Sequence, residues 1–400
     1  MTAEILQIIR RAGRPLSKKD ISLASGLSIS GVVEHVDRLI DTGLLVNTSI
    51  GQSSGGRKPR LYAFNKDAGC LVSIDMETDH AKIAITDFDC NILIDGSCSF
   101  DILCGPESVL LSIKDQVVEL LNKIKVDKNA VKGIGIGIPD VVDFAEGLLV
   151  SPLLMPGWDR YPIRDFWSGH LDCPCYVDND VNIIALGEYA KGLNFQVANM
   201  IVVKVGTGIG AGIICNGKLY RGSDGSAGDL GHFDMGIDVT CWCGNRGCLE
   251  AAAGGKAIVA KAKEATLSGR SVYLKDVLAK KDQITLQDIA YGIQRLDGLS
   301  IELIRESSVL TGRAVASIVN FINPELVLVA GAYPEFDDTM LASVRQGVYQ
   351  RSLPLATRNL LIKKSVLGHQ AGLIGAAYMT VERLILGSIN DEEDAVIAAN

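Results

Sequence analysis

Cys241-Trp242-Cys243-Gly244-Asn245-Arg246-Gly247-Cys248-Leu249-Glu250, with His232 nine residues upstream, is the stretch on which the reading of this chain turns. Three thiols and one imidazole are the right number and kind of ligands for a closed tetrahedral zinc site. Gly244 and Gly247 let the backbone turn tightly enough for Cys243 and Cys248 to face one ion. The plain alternative is a disulfide with a spare thiol, but nothing else in the chain points to an oxidising compartment. A site closed by His232, Cys241, Cys243 and Cys248 leaves no position for water. The metal is therefore read as structural, and its importance lies in what it holds beside it.

Around that stretch, 400 residues imply more than one domain. A hydrophobic content of 48% with 42 glycines suits an α/β protein with a large core. The N-terminus lacks a basic-then-apolar signal pattern, and no apolar run is long enough to span a bilayer. The ten scattered cysteines fit a reduced interior, so a cytoplasmic location with no membrane partner is expected. The net charge of -8 is unevenly spread. Residues 1–66 hold ten Lys/Arg and five Asp/Glu, a balance of +5, which leaves -13 for the remainder. A small basic head on an acidic body suggests that the head alone meets a polyanion.

The head reads as three helices and a hairpin. Ile5, Leu6, Ile8 and Ile9 form one apolar face. Ser17 caps a second helix, with Asp20 completing a capping box, and Gly26 makes the turn. Ser28 caps a third helix, in which Ile29, Val32, Val33, Val36, Leu39 and Ile40 form a buried stripe. Two strands then flank the basic loop Gly51-Gln52-Ser53-Ser54-Gly55-Gly56-Arg57-Lys58-Pro59-Arg60. This is the pattern of a winged helix-turn-helix. Ser28, Ser30 and Gly31 keep the start of the recognition helix small enough to approach base edges, with His35 and Arg38 further along it. Arg57, Lys58 and Arg60 on the wing would meet phosphates or the minor groove. The competing reading is a helical interaction module with a solvated basic loop.

Beyond the head, strands alternate with helices. Strands are expected over 71–75, 82–87, 131–138, 175–177, 200–205, 211–214 and 326–330. Helices are expected over 106–124, 181–191 and 371–386. The pattern suggests two similar α/β halves around a cleft. Asp178-Asn179-Asp180 falls where a strand passes into a helix. Its groups could grip vicinal hydroxyls and one carboxylate could act as a base, or the segment could simply cap the helix. Ala227-Gly228-Asp229-Leu230-Gly231-His232 sets a carboxylate three residues before the metal-site histidine. Glu250 follows Cys248 by two. A metal would gather Asp229, His232 and Glu250 around one pocket.

Taken in order, the helix-turn-helix, the Gly-Gly-Arg-Lys-Pro-Arg wing, Asn179-Asp180, Ala-Gly-Asp-x-Gly-His and Cys-x-Cys-Gly-x-x-Gly-Cys-x-Glu resemble the ROK family of repressors and sugar kinases, and its xylose-repressor-like branch in particular. The resemblance spans essentially the whole chain. It implies a winged helix-turn-helix over 1–66 and, over 67–400, a two-lobed actin-like ATPase fold with structural Zn2+ in the second lobe. It also implies a sugar pocket of Asn179, Asp180, Asp229, His232 and Glu250. Asp229 stands where the family usually has Glu, and Pro139-Asp140 where it usually has Pro-Gly.

The kinases of that family open the body with Asp-x-Gly-Gly-Thr, a turn that meets ATP phosphates. Here the matching stretch is Asp75-Met76-Glu77-Thr78-Asp79. Both glycines are gone, and carboxylates at Glu77 and Asp79 would repel a triphosphate. Gly206-Thr207-Gly208-Ile209-Gly210 keeps the second glycine loop. The expectation is a regulator, not an enzyme: a repressor that binds operator DNA and a sugar effector, as a homodimer or homotetramer. The alternative is an ATP-dependent sugar kinase with a DNA-binding module, in which Asp180 would be the base.

Overall fold

The computed structural model describes residues 1–50, 59–152, 155–332 and 338–398. At the N-terminus, α1 (Thr2–Ala12) buries Ile5, Leu6 and Ile9. After β1 (Leu16–Ser17) comes α2 (Lys18–Ser25), closed by the expected capping box between Ser17 and Asp20. Gly26, at φ 74°, turns the chain into α3 (Ile29–Asp41), whose N-cap Ser28 accepts from the Gly31 N–H. Strands β2 (Leu45–Ile50) and β3 (Arg60–Phe64) follow, and the small sheet has the order β1-β3-β2. It therefore has three strands where two were expected, because β1 is too short to show a period of its own. The stripe on α3 is also narrower than expected. Val32, Val36 and Leu39 are buried, while Ile29 is 55% and Ile40 37% exposed. α3 packs on α1 and α2, and the exposure of Ser28, Ile29 and Ser30 shows its first turn projecting past that contact.

The body contains two five-stranded sheets built on one plan. In the first, β4 (Cys70–Met76), β5 (His80–Asp87) and β6 (Ile92–Ser99) form an antiparallel meander. α4 (Pro106–Lys123) leads to β7 (Val131–Ile138), which pairs parallel with β4. A short hairpin of β8 (Val142–Asp143) and β9 (Leu148–Leu149) and helix α5 (Ile163–Ser168) precede β10 (Cys175–Asn179), parallel to β7. The order is β10-β7-β4-β5-β6. α6 (Asp180–Gly187) then runs on through a π turn at Glu188–Gly192.

The second sheet repeats the arrangement. Its meander is β11 (Met200–Val205), β12 (Ile209–Cys215) and β13 (Lys218–Tyr220). A helical insertion follows: α7 (Leu249–Ala253), α8 (Gly255–Leu267), α9 (Val272–Lys281), α10 (Leu286–Gln294) and α11 (Gly298–Ile322). Parallel β14 (Leu326–Gly331), helices α12 (Asp338–Arg351) and α13 (Pro354–Thr357), and parallel β15 (Leu361–Lys364) complete the order β13-β12-β11-β14-β15. This duplicated plan is the two-lobed actin-like fold.

α14 (Ala371–Ala398) closes the body and packs on α6. Two glycines permit the close crossing: a Cβ on Gly375 would overlap the Ile183 carbonyl, and one on Gly187 the Ala371 carbonyl. The other side of α14 carries the head. Arg10 of α1 pairs with Glu382 at 2.7 Å, and its guanidinium also lies 4.9 Å from the Phe64 ring and 5.3 Å from Tyr378. Among the described residues, no helix is long and apolar enough to cross a membrane.

Candidate functional site

The cluster read first in the sequence comes together. Ligand atoms of His232, Cys241, Cys243 and Cys248 all lie within 4.8 Å of one another. His232 Nδ1 is 3.6 Å from Cys241 Sγ, and the sulfurs of Cys243 and Cys248 are 3.6 Å apart. A zinc–thiolate tetrahedron with bonds of about 2.3 Å has edges of about 3.8 Å, so the donor set and its spacing fit the ion. Gly244 (φ 88°) and Gly247 (φ 85°) take the left-handed turns that the spacing required. Trp242 stands edge-on to His232 at 6.4 Å and under the Lys256 ammonium at 5.4 Å.

Beside this cluster lies a cleft pocket of about 240 Å³. That is below the roughly 300–1,000 Å³ of drug-sized sites and suits one small polar ring. Asn179, Asp180, Asp229, His232 and Glu250 all line it, together with Glu77, Asp140, Lys204, Thr207 and Trp242. Both lobes contribute. Glu77 comes from the β4–β5 turn and Asp180 from the first residue of α6. Lys204 comes from β11, and Glu250 from α7, which starts immediately after Cys248.

Several of these groups have partners within the protein. Asn179 is the N-cap of α6, accepting from Val181 N, and its amide donates to the Asp140 carbonyl at 3.0 Å. Asp178 is gripped by Arg221 at 2.7 Å and by the Asn182 amide at 2.8 Å. Glu250 accepts from the Ile209 N–H at 2.6 Å, which ties α7 to the glycine loop. Burial pushes the carboxyls of both Glu250 and Asp229 upward, with His232 acting in the opposite sense.

Lys204 was not singled out in the sequence, where it reads as one residue of an apolar strand. Its side chain is 8% exposed, and its ammonium sits 2.7 Å from Glu77 and in contact with Asp180. Desolvation works against that charge, but Asp180, Glu77 and Asp75 outweigh it and raise the lysine pKa. Burial outweighs Lys204 at Asp180, whose pKa is also raised.

Asp75 lies behind them, fully enclosed, with Oδ1 lacking a hydrogen-bond partner and the carboxylate packed against Gly372 of α14. Burial is the main force lifting its pKa to about 7; Lys204 and Lys82 oppose it, and Glu77 and Asp180 add to it. A carboxyl raised in the folded state contributes stability below its unfolded pKa of about 3.9 and loses it as pH rises through 7. Asp75→Asn is therefore expected to melt above wild type at pH 8 and to lose that advantage at pH 5. Equal shifts in thermal melts at the two pH values would refute this.

On the head, Ser28 and Ser30 are exposed at the start of α3, and Gly31 is half-buried. His35 is turned inward, with Nδ1 2.9 Å from Thr2 Oγ1 of α1. Arg38 lies 3.8 Å from Glu34 along the same helix, and Arg60 is exposed on β3. Arg57 and Lys58 lie outside the described residues. Exposed Ile29 joins the serines at the helix start; the periodicity had assigned it to the core.

The ROK family model matches residues 71–383, and a winged helix-turn-helix DNA-binding model matches residues 3–46. A xylose repressor from Caldicellulosiruptor bescii is 31% identical over 375 residues, covering 92% of each chain. Among solved structures, a ROK family transcriptional regulator, a homologue of the E. coli MLC protein, superposes with a TM-score of 0.80 at 26% identity. That match covers 96% of this chain and 95% of the other. A ROK glucokinase from Streptomyces griseus, in complex with glucose and AMPPNP, superposes at 0.69 with 25% identity, over 78% of this chain and 99% of the kinase.

Proposed function

The chain belongs to the ROK family, and from that premise we propose that it is a sugar-responsive transcriptional repressor: a winged helix-turn-helix head over 1–66 binds operator DNA, and a body over 67–400 senses a sugar. One observation carries the reading. α14 packs at Gly372 against Asp75, which lies behind the pocket residues Glu77 and Lys204, and it holds the head through Tyr378 and Glu382. Those points are ten residues apart, about 15 Å along a helix. A sugar that shifts the lobes therefore acts on the same helix that seats the head. By linkage, it weakens operator affinity by the factor by which the operator weakens sugar affinity.

In this reading Asn179, Asp180, Asp229, His232 and Glu250 bind the sugar. His232, Cys241, Cys243 and Cys248 hold a structural Zn2+ that fixes Glu250 and His232 at the pocket wall. Ser28, Ser30, Gly31, Arg38, Arg57, Lys58 and Arg60 face DNA, with His35 bracing α3 against α1. The protein acts as a homodimer or homotetramer, since helix-turn-helix heads read paired half-sites. Its ten cysteines suit the reduced cytoplasm.

The kinase alternative is disfavoured by charge. Glu77 stands where the kinase turn has glycine, and a carboxylate there would repel a triphosphate. Lys204 caps Asp180, the group that would have to take the hydroxyl proton. Operator binding measured with increasing salt and with a monosaccharide panel tests the reading. Affinity should fall steeply with salt, and one sugar should change it, while MgATP has no effect. Sugar-dependent ADP release would establish the kinase instead.

A further inference from the structure

We propose that Lys204 is the residue that sets effector class: it commits its charge to Glu77 and Asp180 across the cleft and holds the Asp180 carboxylate for a sugar hydroxyl. The pocket that remains admits an uncharged sugar and turns away phosphorylated ones. This rests on the sugar-sensor reading and narrows it.

The geometry supplies the argument. Lys204 is on β11, the central strand of the second sheet, paired with β12 at Gly210 and with β14 at Ala330. Glu77 belongs to the first lobe, and Asp180 opens α6, which continues from β10 of the first sheet and packs against the second. The contact is thus an ion-pair bridge between lobes, on the floor of the pocket. A second bridge, Arg221 to Asp178, grips the same strand end two residues away. Together they hold both flanks of Asn179.

A lone buried ammonium is costly, and here both acids lie within reach of Lys204. Their two carboxylates neutralise its charge, and among the described residues lining the pocket no other lysine or arginine is present to meet a phosphate. Glu77, Asp140, Asp180, Asp229 and Glu250 line the cavity against this one ammonium. A phosphate among them would meet like charge, which repels strongly where water is partly excluded. A sugar's hydroxyls, by contrast, are donors to carboxylates.

Calorimetry on the full chain tests this, with D-xylose, D-glucose, D-mannose and N-acetyl-D-glucosamine, each beside its phosphate ester. A free sugar should bind, and its ester at least about a hundredfold more weakly. An ester that binds as tightly as its parent overturns the proposal. If neither sugars nor esters bind, the sugar-sensor reading itself falls, and this inference with it. Lys204→Arg should keep sugar affinity and its pH profile. Lys204→Met should bind sugar at least about tenfold more weakly at pH 7 and lose more affinity on acidification, as Asp180 without its cation takes up a proton. The titratable and charged groups facing Asp180 are Lys204, Glu77 and Asp75. Circular dichroism and metal content report whether Lys204→Met remains folded. Glu77→Gln, which leaves the Lys204–Asp180 contact but removes one of the two acids that neutralise Lys204, should narrow the gap in affinity between a sugar and its phosphate ester. Unchanged affinity and pH profile in Lys204→Met, with an unchanged gap in Glu77→Gln, would remove Lys204 from the role.

Discussion

Cys248→Ser is expected to abolish metal retention and sugar binding together. In a closed four-ligand site the loss of one thiolate opens the coordination sphere, and structural zinc energy is folding energy. Cys248 is the N-cap residue of α7, so the ligand and the helix that carries Glu250 are neighbours in the chain. Glu250 in turn holds the Ile209 N–H, and the carboxylate lies so close to Gly208 that a side chain there would collide with it. Release of the ion therefore frees α7, then Glu250, then the glycine loop that walls the pocket. Wild type should purify with about one zinc per chain, and a strong chelator should reproduce the variant's behaviour. Cys104→Ser, which alters an exposed cysteine remote in sequence from the cluster, should leave metal content, melting temperature and sugar affinity unchanged. Metal analysis and thermal melts decide the matter. A Cys248→Ser protein with wild-type zinc and an unshifted melt would mean that these side chains hold no structural ion.

The parts of the site that were legible in the sequence were those set by local chemistry. Ligand type and spacing define a metal cluster within a few turns of chain, so His232 and the three cysteines could be read directly. The same holds for Ser17 with Asp20 and for Ser28, where the cap and the N–H that donates to it are three residues apart. Lys204 was invisible for the opposite reason. Its partners are 127 and 24 residues away, and within Met-Ile-Val-Val-Lys-Val nothing distinguishes a bridging lysine from a strand residue at an edge. Arg221 and Arg10 were missed in the same way, since each acts only across a contact that the tertiary fold creates. The four helices α8 to α11 escaped notice because mixed apolar and charged runs there carry no motif. Their burial against the second sheet is decided by packing. Asn179 could be read two ways, as cap or as ligand. It serves as the cap, with one amide hydrogen bond already made to Asp140, and that use does not exclude a hydroxyl at its remaining N–H.

The same substitution made at two places on α14 should act with opposite sign. Gly375→Ala places a methyl where the Ile183 carbonyl of α6 already lies, and backbone cannot step aside as a side-chain tip can. Helix propensity favours alanine by about 1 kcal/mol, but forcing two packed helices apart costs about 3 kcal/mol or more. A net loss of about 2 kcal/mol or more follows, a fall in melting temperature of about 2–3 °C or more for a chain of this length. Gly387→Ala sits twelve residues on, exposed, with nothing within 4 Å of the added carbon. There only the propensity acts, and a gain of about 0.5–1 kcal/mol is expected. The functional consequence separates the two further. α6 begins with Asp180, and α14 passes Asp75 at Gly372 before reaching Tyr378 and Glu382. Spreading their crossing alters the pocket and the seat of the head in one move. Gly375→Ala should therefore weaken sugar binding and uncouple it from operator release, while Gly387→Ala leaves both as they were. Operator titrations with and without sugar, run beside the melts, measure this. If Gly375→Ala melts lower yet keeps the full sugar effect on operator affinity, the α6–α14 crossing holds the fold together but does not transmit the signal.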